Sequence, residues 1–162
     1  WDTPTYNSNT ISMANHEWSL DELKYKAEAY CTTTEHCLSE LTTKLQQWGA
    51  NPDDIEDIIA HLKAQRYINE ERYCRAFAHD KVLYQGWGRI KIRAALYAKH
   101  LPANDIQIAL ESIDETEYFD TLKRVMATKK RTIRSNDPMA REKLIRFCLQ
   151  RGFTYDEIET LL

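Results

Sequence analysis

Two arginines stand where a third, similar segment carries leucine. Arg89 and Arg141 each lie three residues ahead of an apolar pair spaced by four, Ile92 with Leu96 and Leu144 with Cys148; the matching place ahead of Leu41 and Leu45 holds Leu38. A cation near a helix start opposes the helix dipole, so another interaction must favour it there. A guanidinium offers a planar fork of donors that fits a phosphate or a partner's carboxylate. The same fork would serve an ion pair between neighbouring segments, with Glu117 or Asp120 as the acid. Both readings are open on sequence alone.

Further bases crowd around this pair. Lys81, Arg89, Lys91, Arg93 and Lys99 fall in a stretch without an acid. From Lys123 to Arg146 nine bases, among them Lys129, Lys130, Arg131, Arg134, Arg141, Lys143 and Arg146, face only Asp137 and Glu142. Net charge is −3 over 162 residues, yet it divides into −6 for residues 1–68 and +3 for the rest. Such asymmetry points the later part toward a polyanion or an acidic protein, the alternative being a solvated helix surface. Tyr84, Trp87 and Tyr97 interleave with these bases. Aromatics so placed can stack on nucleobases, although aromatics at helical spacing also build cores, the reading favoured for Trp87.

Catalytic patterns are absent. The chain has no G-x-x-x-x-G-K-[ST], G-x-G-x-x-G, G-x-S-x-G or H-E-x-x-H, the spacings that hold phosphates, nucleophiles or zinc. Gly86-Trp87-Gly88 follows a helical stretch and reads as a helix break. His36-Cys37 with Cys31 lacks the further ligands that zinc requires. His16, His61 and His79 are scattered, and Glu70-Glu71 and Asp114-Glu115 fit first helical turns, where the dipole favours acids. The expectation is a protein that is not an enzyme, with no cofactor, no metal and no small-molecule substrate. No apolar run approaches the roughly 18 residues of a membrane span, and the first 17 residues lack the features of a secretory signal. Four cysteines without a CxxC pair suit reduced thiols in the cytoplasm.

The elements that would position the bases follow from an internal echo. Leu41, Leu45, Gly49 and Ile55 lie at offsets 0, +4, +8 and +14; Ile92, Leu96, His100 and Ile106 repeat them, as do Leu144, Cys148, Gly152 and Ile158. Ile59, Leu110 and Leu162 extend the register to +18. Such a period marks stacked units that cannot bury an apolar face alone. It predicts an all-α chain of three tandem three-helix repeats in an elongated, curved right-handed helical array. The expected division is a flexible arm over 1–18 and repeats over 19–68, 69–113 and 114–162. Ser19-x-x-Glu22, Thr32-x-x-Glu35 and Thr154-x-x-Glu157 read as capping boxes. Asn51-Pro52, Asn69, Asp114 and Asp137-Pro138 read as other helix starts. Gly49, His100 and Gly152 fit left-handed helix ends. Leu45, Ile55, Leu96, Ile106 and Ile158 are expected in the core.

The order of these signals resembles the RecX family of recombination regulators. The residues that carry the likeness are Glu70-Glu71, Phe77-Ala78, Gly86-Trp87-Gly88, Arg89-Ile90, Leu96 and Lys99-His100-Leu101 in the middle repeat. The closing run Phe147-Cys148-Leu149-Gln150-Arg151-Gly152-Phe153 adds to it, and the likeness spans roughly residues 20–162. His100 stands where the family usually has glycine and Trp87 where it often has proline. The resemblance implies a regulator in DNA repair and recombination that binds the RecA recombinase filament on single-stranded DNA and restrains its ATPase and strand exchange. It places the partner contacts on the basic residues above, with single-stranded DNA as a further contact. Two other readings remain open, a helix-turn-helix protein reading duplex DNA and a helical scaffold for proteins.

Overall fold

The computed structural model describes residues 17–162, so all but the end of the expected arm lies outside the described residues. Those residues form nine helices: α1 (Leu20–Thr33), α2 (Leu38–Gln47), α3 (Pro52–Ala64), α4 (Glu70–Gln85), α5 (Arg89–Ala98), α6 (Ala103–Glu111), α7 (Glu115–Lys130), α8 (Ala140–Gln150) and α9 (Tyr155–Glu159). No strand occurs among them.

Local chemistry accounts for most boundaries. Ser19, Asn51, Asn69, Asp114 and Thr154 each accept a hydrogen bond from the backbone N–H three residues on, at 3.2, 2.8, 2.9, 2.9 and 3.1 Å. Each satisfies one of the donors that a helix start leaves open. At Thr154 the box is reciprocal, because Glu157 Oε1 accepts from the Thr154 N–H at 2.8 Å.

One turn recurs three times. Gly49, His100 and Gly152 have φ of +83°, +63° and +97°. Their N–H groups donate to Gln46, Tyr97 and Leu149 at 3.0 Å in each case. The following N–H groups, of Ala50, Leu101 and Phe153, reach back to Leu45, Leu96 and Cys148. This paired closure of a helix end needs a left-handed residue, and histidine meets the requirement in the middle repeat.

Two expected starts fall elsewhere. Thr32 does not open a helix: the hydroxyls of Thr32 and Thr33 donate to the carbonyls of Ala29 and Tyr30 within the last turn of α1. Glu35 is drawn to Arg72 instead, and α2 begins after Cys37. Asp137 holds a turn rather than the first helical residue, accepting from Met139 N–H at 2.8 Å, so α8 starts at Ala140.

Packing divides the molecule in two. Leu23, Ala27, Leu41, Leu45, Ile58, Leu62 and Ile68 make one buried cluster within α1–α3 and the turn after it. The second cluster runs through α4–α9 without a break, from Tyr73 and Cys74 to Phe153 and Ile158. α1 packs on α3 and α4 on α6, but α7 packs chiefly on α8 because α9 is short. Leu45, Leu96, Ile106 and Ile158 are buried. Ile55 is a correction, being only half-buried. Ile58, one turn further along α3, takes the fully buried place.

Candidate partner-binding surface

The turn Gly86-Trp87-Gly88 is where the last two helix triplets meet. Gly86 closes α4 in the left-handed region at φ +66°. Gly88 donates its N–H to Arg151 O at 2.8 Å, and Ile90 donates to Gly152 O at 3.1 Å. A β-carbon on Gly88 would lie 2.3 Å from Gly152 O, and one on Gly152 would lie 2.5 Å from Lys91 Cβ. The glycines therefore allow two backbones to touch, a structural use that leaves no cradle for phosphate.

Arg89 begins α5 at this contact, and the structure turns it inward. Its guanidinium lies 4.1 Å above the Tyr118 ring, pairs with Glu115, and sits 3.6 Å from Glu157 Oε2. The Arg89 N–H donates to Tyr118 Oη at 3.1 Å, and that hydroxyl donates to Glu157 at 3.2 Å. Burial drives the Tyr118 phenol well above its ordinary range, so it stays a donor. The ion-pair reading of Arg89 thus describes its place, with Glu115 and Glu157 as the acids in place of Glu117 and Asp120. Arg89 leaves the set of cations open to a partner.

The remaining bases of the second triplet have other surroundings. Lys81 Nζ and Lys91 Nζ lie 4.8 and 4.6 Å from the centre of the half-buried Trp87 ring, which meets Phe77 edge-on. Arg93 is exposed. Tyr84, Tyr97 and Ile90 show 76, 71 and 50 % of their surface, which leaves two aromatics and an aliphatic side chain open beside these bases. Lys99 reaches back to Glu40 of α2 at 3.5 Å.

The third triplet gathers its cations around a cleft. Lys130, Arg134 and Arg141 border a space of about 460 Å³ floored by Ile133, Leu144 and Leu162. A smaller groove of about 240 Å³ continues it past Lys123, Met126 and Leu161, sharing Lys130, Leu144 and Leu162. No carboxylate side chain lines either space. Arg131 and Arg146 are exposed, Lys129 lies 4.8 Å over the Phe147 ring, and Lys143 pairs with Asp137. Lys123 was not singled out by sequence, although it lies seven residues before Lys130, two turns along one face of α7. Arg124 and Arg151 were missed too. They donate to Leu83 O and Gln85 O, both at 2.9 Å, and so tie the third triplet to the end of α4.

Elsewhere, His36 is stacked 3.8 Å from Tyr30 and bonded to Glu40, and Cys37 faces Ser39 and Glu40. Among the described residues no group of three or more His, Cys, Asp or Glu side chains could hold a metal ion. His61 bonds Glu28 at 2.6 Å and His79 is exposed, while His16 lies outside the described residues. No helix of the described residues is long and apolar enough to cross a membrane.

The nine helices of the described residues, taken in successive triplets with no strand among them, define an all-helical fold of tandem three-helix units. Residues 69–110 match the RecX second three-helix domain and residues 115–162 the third. A protein named Regulatory protein RecX from Leptothrix cholodnii is 30 % identical over 152 residues, covering 93 % of this chain and 92 % of the relative. One of the same name from Pseudomonas putida KT2440 is 34 % identical over 128 residues, covering 79 % and 81 %. A crystal structure of regulatory protein RecX superposes with a TM-score of 0.76 at 18 % identity, over 98 % of this chain and 79 % of that one. The crystal structure of RecX from Lactobacillus salivarius gives 0.76 at 20 % identity, over 88 % and 93 %. The solved structures share the fold; the sequence matches carry the family. The chain belongs to the RecX family, whose curated relatives are named regulatory proteins.

Proposed function

We propose that this chain is a non-enzymatic regulator that binds the RecA recombinase filament on single-stranded DNA and restrains its ATPase and strand exchange. Its place of work would be the cytoplasm, in recombination and repair. One observation supports the reading beyond family membership: apart from Arg89 and Lys143, the cations of α5, α7 and α8 pair with no carboxylate of the described residues, whereas Arg72 and Lys99 at the first joint are engaged. A row of modules can touch neighbouring protomers of a helical polymer at once, so several weak contacts add through effective concentration.

The partner-facing residues in this reading are Lys81, Lys91, Arg93, Lys129, Lys130, Arg131, Arg134, Arg141 and Arg146. Lys99 and Lys143 are partly spent on Glu40 and Asp137. A helix-turn-helix reading of duplex DNA is disfavoured by α9. It has five residues, turns Ile158 into the core and Glu157 to the Arg89 network, and exposes Asp156 and Glu159 where phosphates would lie.

The test is a titration of labelled single-stranded DNA with this protein at several salt concentrations, with and without the cognate recombinase. Phosphate contacts give a log–log salt slope of about −0.7 per contact on single strands. Binding that needs the recombinase, and weakens in salt, supports filament recognition. Indifference to the recombinase at every salt concentration would reject it.

A further inference from the structure

The cleft of the third triplet combines two features that nucleic-acid backbones do not require together. Its rim holds Lys130, Arg134 and Arg141, with Lys123 along the adjoining groove, and none of the four forms an ion pair or side-chain hydrogen bond with a described residue. Its floor is aliphatic, formed by Ile133, Leu144 and Leu162, and continues past Met126 and Leu161. No aromatic or histidine lines either space, so there is no platform for stacking a base. Of the exposed rings, Tyr84 and Tyr97 belong to the second triplet and Tyr25 to the first, and Tyr155 of α9, though exposed, lines neither space. At about 460 Å³ the cleft falls within the roughly 300–1,000 Å³ of ordinary ligand pockets.

Aliphatic walls under a basic rim free of Asp and Glu side chains suit a peptide whose apolar anchors are flanked by acids. We propose that this cleft docks an acidic amphipathic segment of a partner protein, one or two bulky apolar side chains entering between Ile133 and Leu144 while Asp or Glu carboxylates meet Lys130, Arg134 and Arg141. The inference rests on the reading of this chain as a protein-filament regulator and deepens it by naming the chemistry of one contact. The carboxylates confer register and speed of encounter, since rim charges chiefly affect association. The buried anchor supplies affinity through apolar area.

The test uses the full chain and a fluorescein-labelled helical peptide with leucines at i, i+3 and i+7 on an Asp- and Glu-rich background, followed by anisotropy. Binding should fall roughly tenfold or more in the Arg134→Glu, Arg141→Glu double variant, the cost expected of opposed charges at an interface. It should fall similarly when the peptide's leucines become serine. Leu162→Asp, at a side chain 45 % exposed and therefore safe for folding, should weaken binding as well. Circular dichroism of each variant confirms its helices.

Three results would overturn the proposal. The folded parent could ignore the peptide, the double variant could bind it as tightly as the parent, or the leucine-to-serine peptide could bind unchanged while a single-stranded oligonucleotide competes. The last would make the cleft a plain polyanion site. Recombinase-stimulated hydrolysis separates the two levels. Restraint without peptide binding rejects the cleft alone; peptide binding without restraint keeps the cleft and rejects the recombinase.

Discussion

The joint between α1–α3 and α4–α6 and the joint between α4–α6 and α7–α9 are built from different materials. The first centres on one carboxylate. Glu40 accepts from Tyr73 Oη at 2.7 Å, from His36 at 2.9 Å and from the Cys37 thiol, and meets Lys99. Arg72 adds a pair with Glu35 and bonds to the carbonyls of Arg66 and Tyr67. Of the first triplet's buried apolar residues only Cys37 belongs to the larger core. The second joint fuses backbone to backbone at Gly88 and Gly152, lays a single core across it, and adds the Arg89, Tyr118 and Glu157 network. Polar links between separate cores respond to pH and salt, whereas shared packing does not. The chain therefore joins a first unit held largely by polar links to a pair made rigid by its shared core.

The largest test of that contrast is steric. Gly88→Ala or Gly152→Ala should destabilise the rigid pair by about 1–3 kcal/mol, because neither neighbouring backbone can withdraw. Gly49→Ala meets nothing within 4 Å and should cost only its left-handed backbone, about 1–2 kcal/mol. Urea unfolding of the three variants gives the order, and equal losses would remove the special role of the glycine contact. Next comes Arg89→Ala, which removes the cation facing Glu157 Oε2 and Glu115 and should cost about 1.5–3 kcal/mol. Its repeat counterpart Arg141→Ala is exposed and should stay within about 0.5 kcal/mol.

The first joint should be smaller in energy and sensitive to acid. Burial alone would raise the Glu40 carboxyl, but hydrogen bonds from His36, Tyr73 and Cys37 with the charge of Lys99 hold it below its usual 4.5. Its folded-state value being depressed, its contribution is complete above the unfolded value and is lost as pH falls through the folded one. Glu40→Gln should cost about 0.5–1.5 kcal/mol at neutral pH. It should also remove part of the stability change below about pH 4.5. Parallel acid titrations of parent and variant followed by chemical unfolding decide this, and superimposable pH profiles would refute the hub.

The smallest effect concerns thiols. Burial pushes Cys74 up to about 12 and raises Cys148 as well, so both should resist iodoacetamide until the rigid pair opens. Cys37, at the polar joint, should be modified first among the three buried thiols. Peptide mapping of a time course in native buffer gives the order.

Much of this was readable from the chain. The offsets of Leu41, Ile92 and Leu144 report helix faces because a buried stripe requires helical spacing, and glycine or histidine at +8 reports the left-handed end that each unit needs. What escaped depends on distant partners. Arg89 and Arg141 occupy the same repeat position, yet one meets Glu115 and Glu157 and the other opens on a cleft. Local sequence holds no record of which carboxylate folds back. Thr32 misled for a related reason, since a hydroxyl that can cap a start can also bond backward and close an end. Ile55 fitted the register, but α3 turns Ile58 and Leu62 to the core instead.

The central claim is that the outward bases of the rigid pair restrain a recombinase filament. It is tested most directly by the ATP hydrolysis of the cognate RecA on single-stranded DNA, with parent protein and with a variant carrying Lys91→Glu, Arg93→Glu, Lys130→Glu, Arg131→Glu and Arg134→Glu. Arg89 is left intact to preserve the fold. The account predicts that the parent lowers hydrolysis in a salt-sensitive manner and that the variant, with unchanged helicity, does so only at much higher concentration. Unchanged hydrolysis with saturating folded parent, or a variant as effective as the parent, would contradict it.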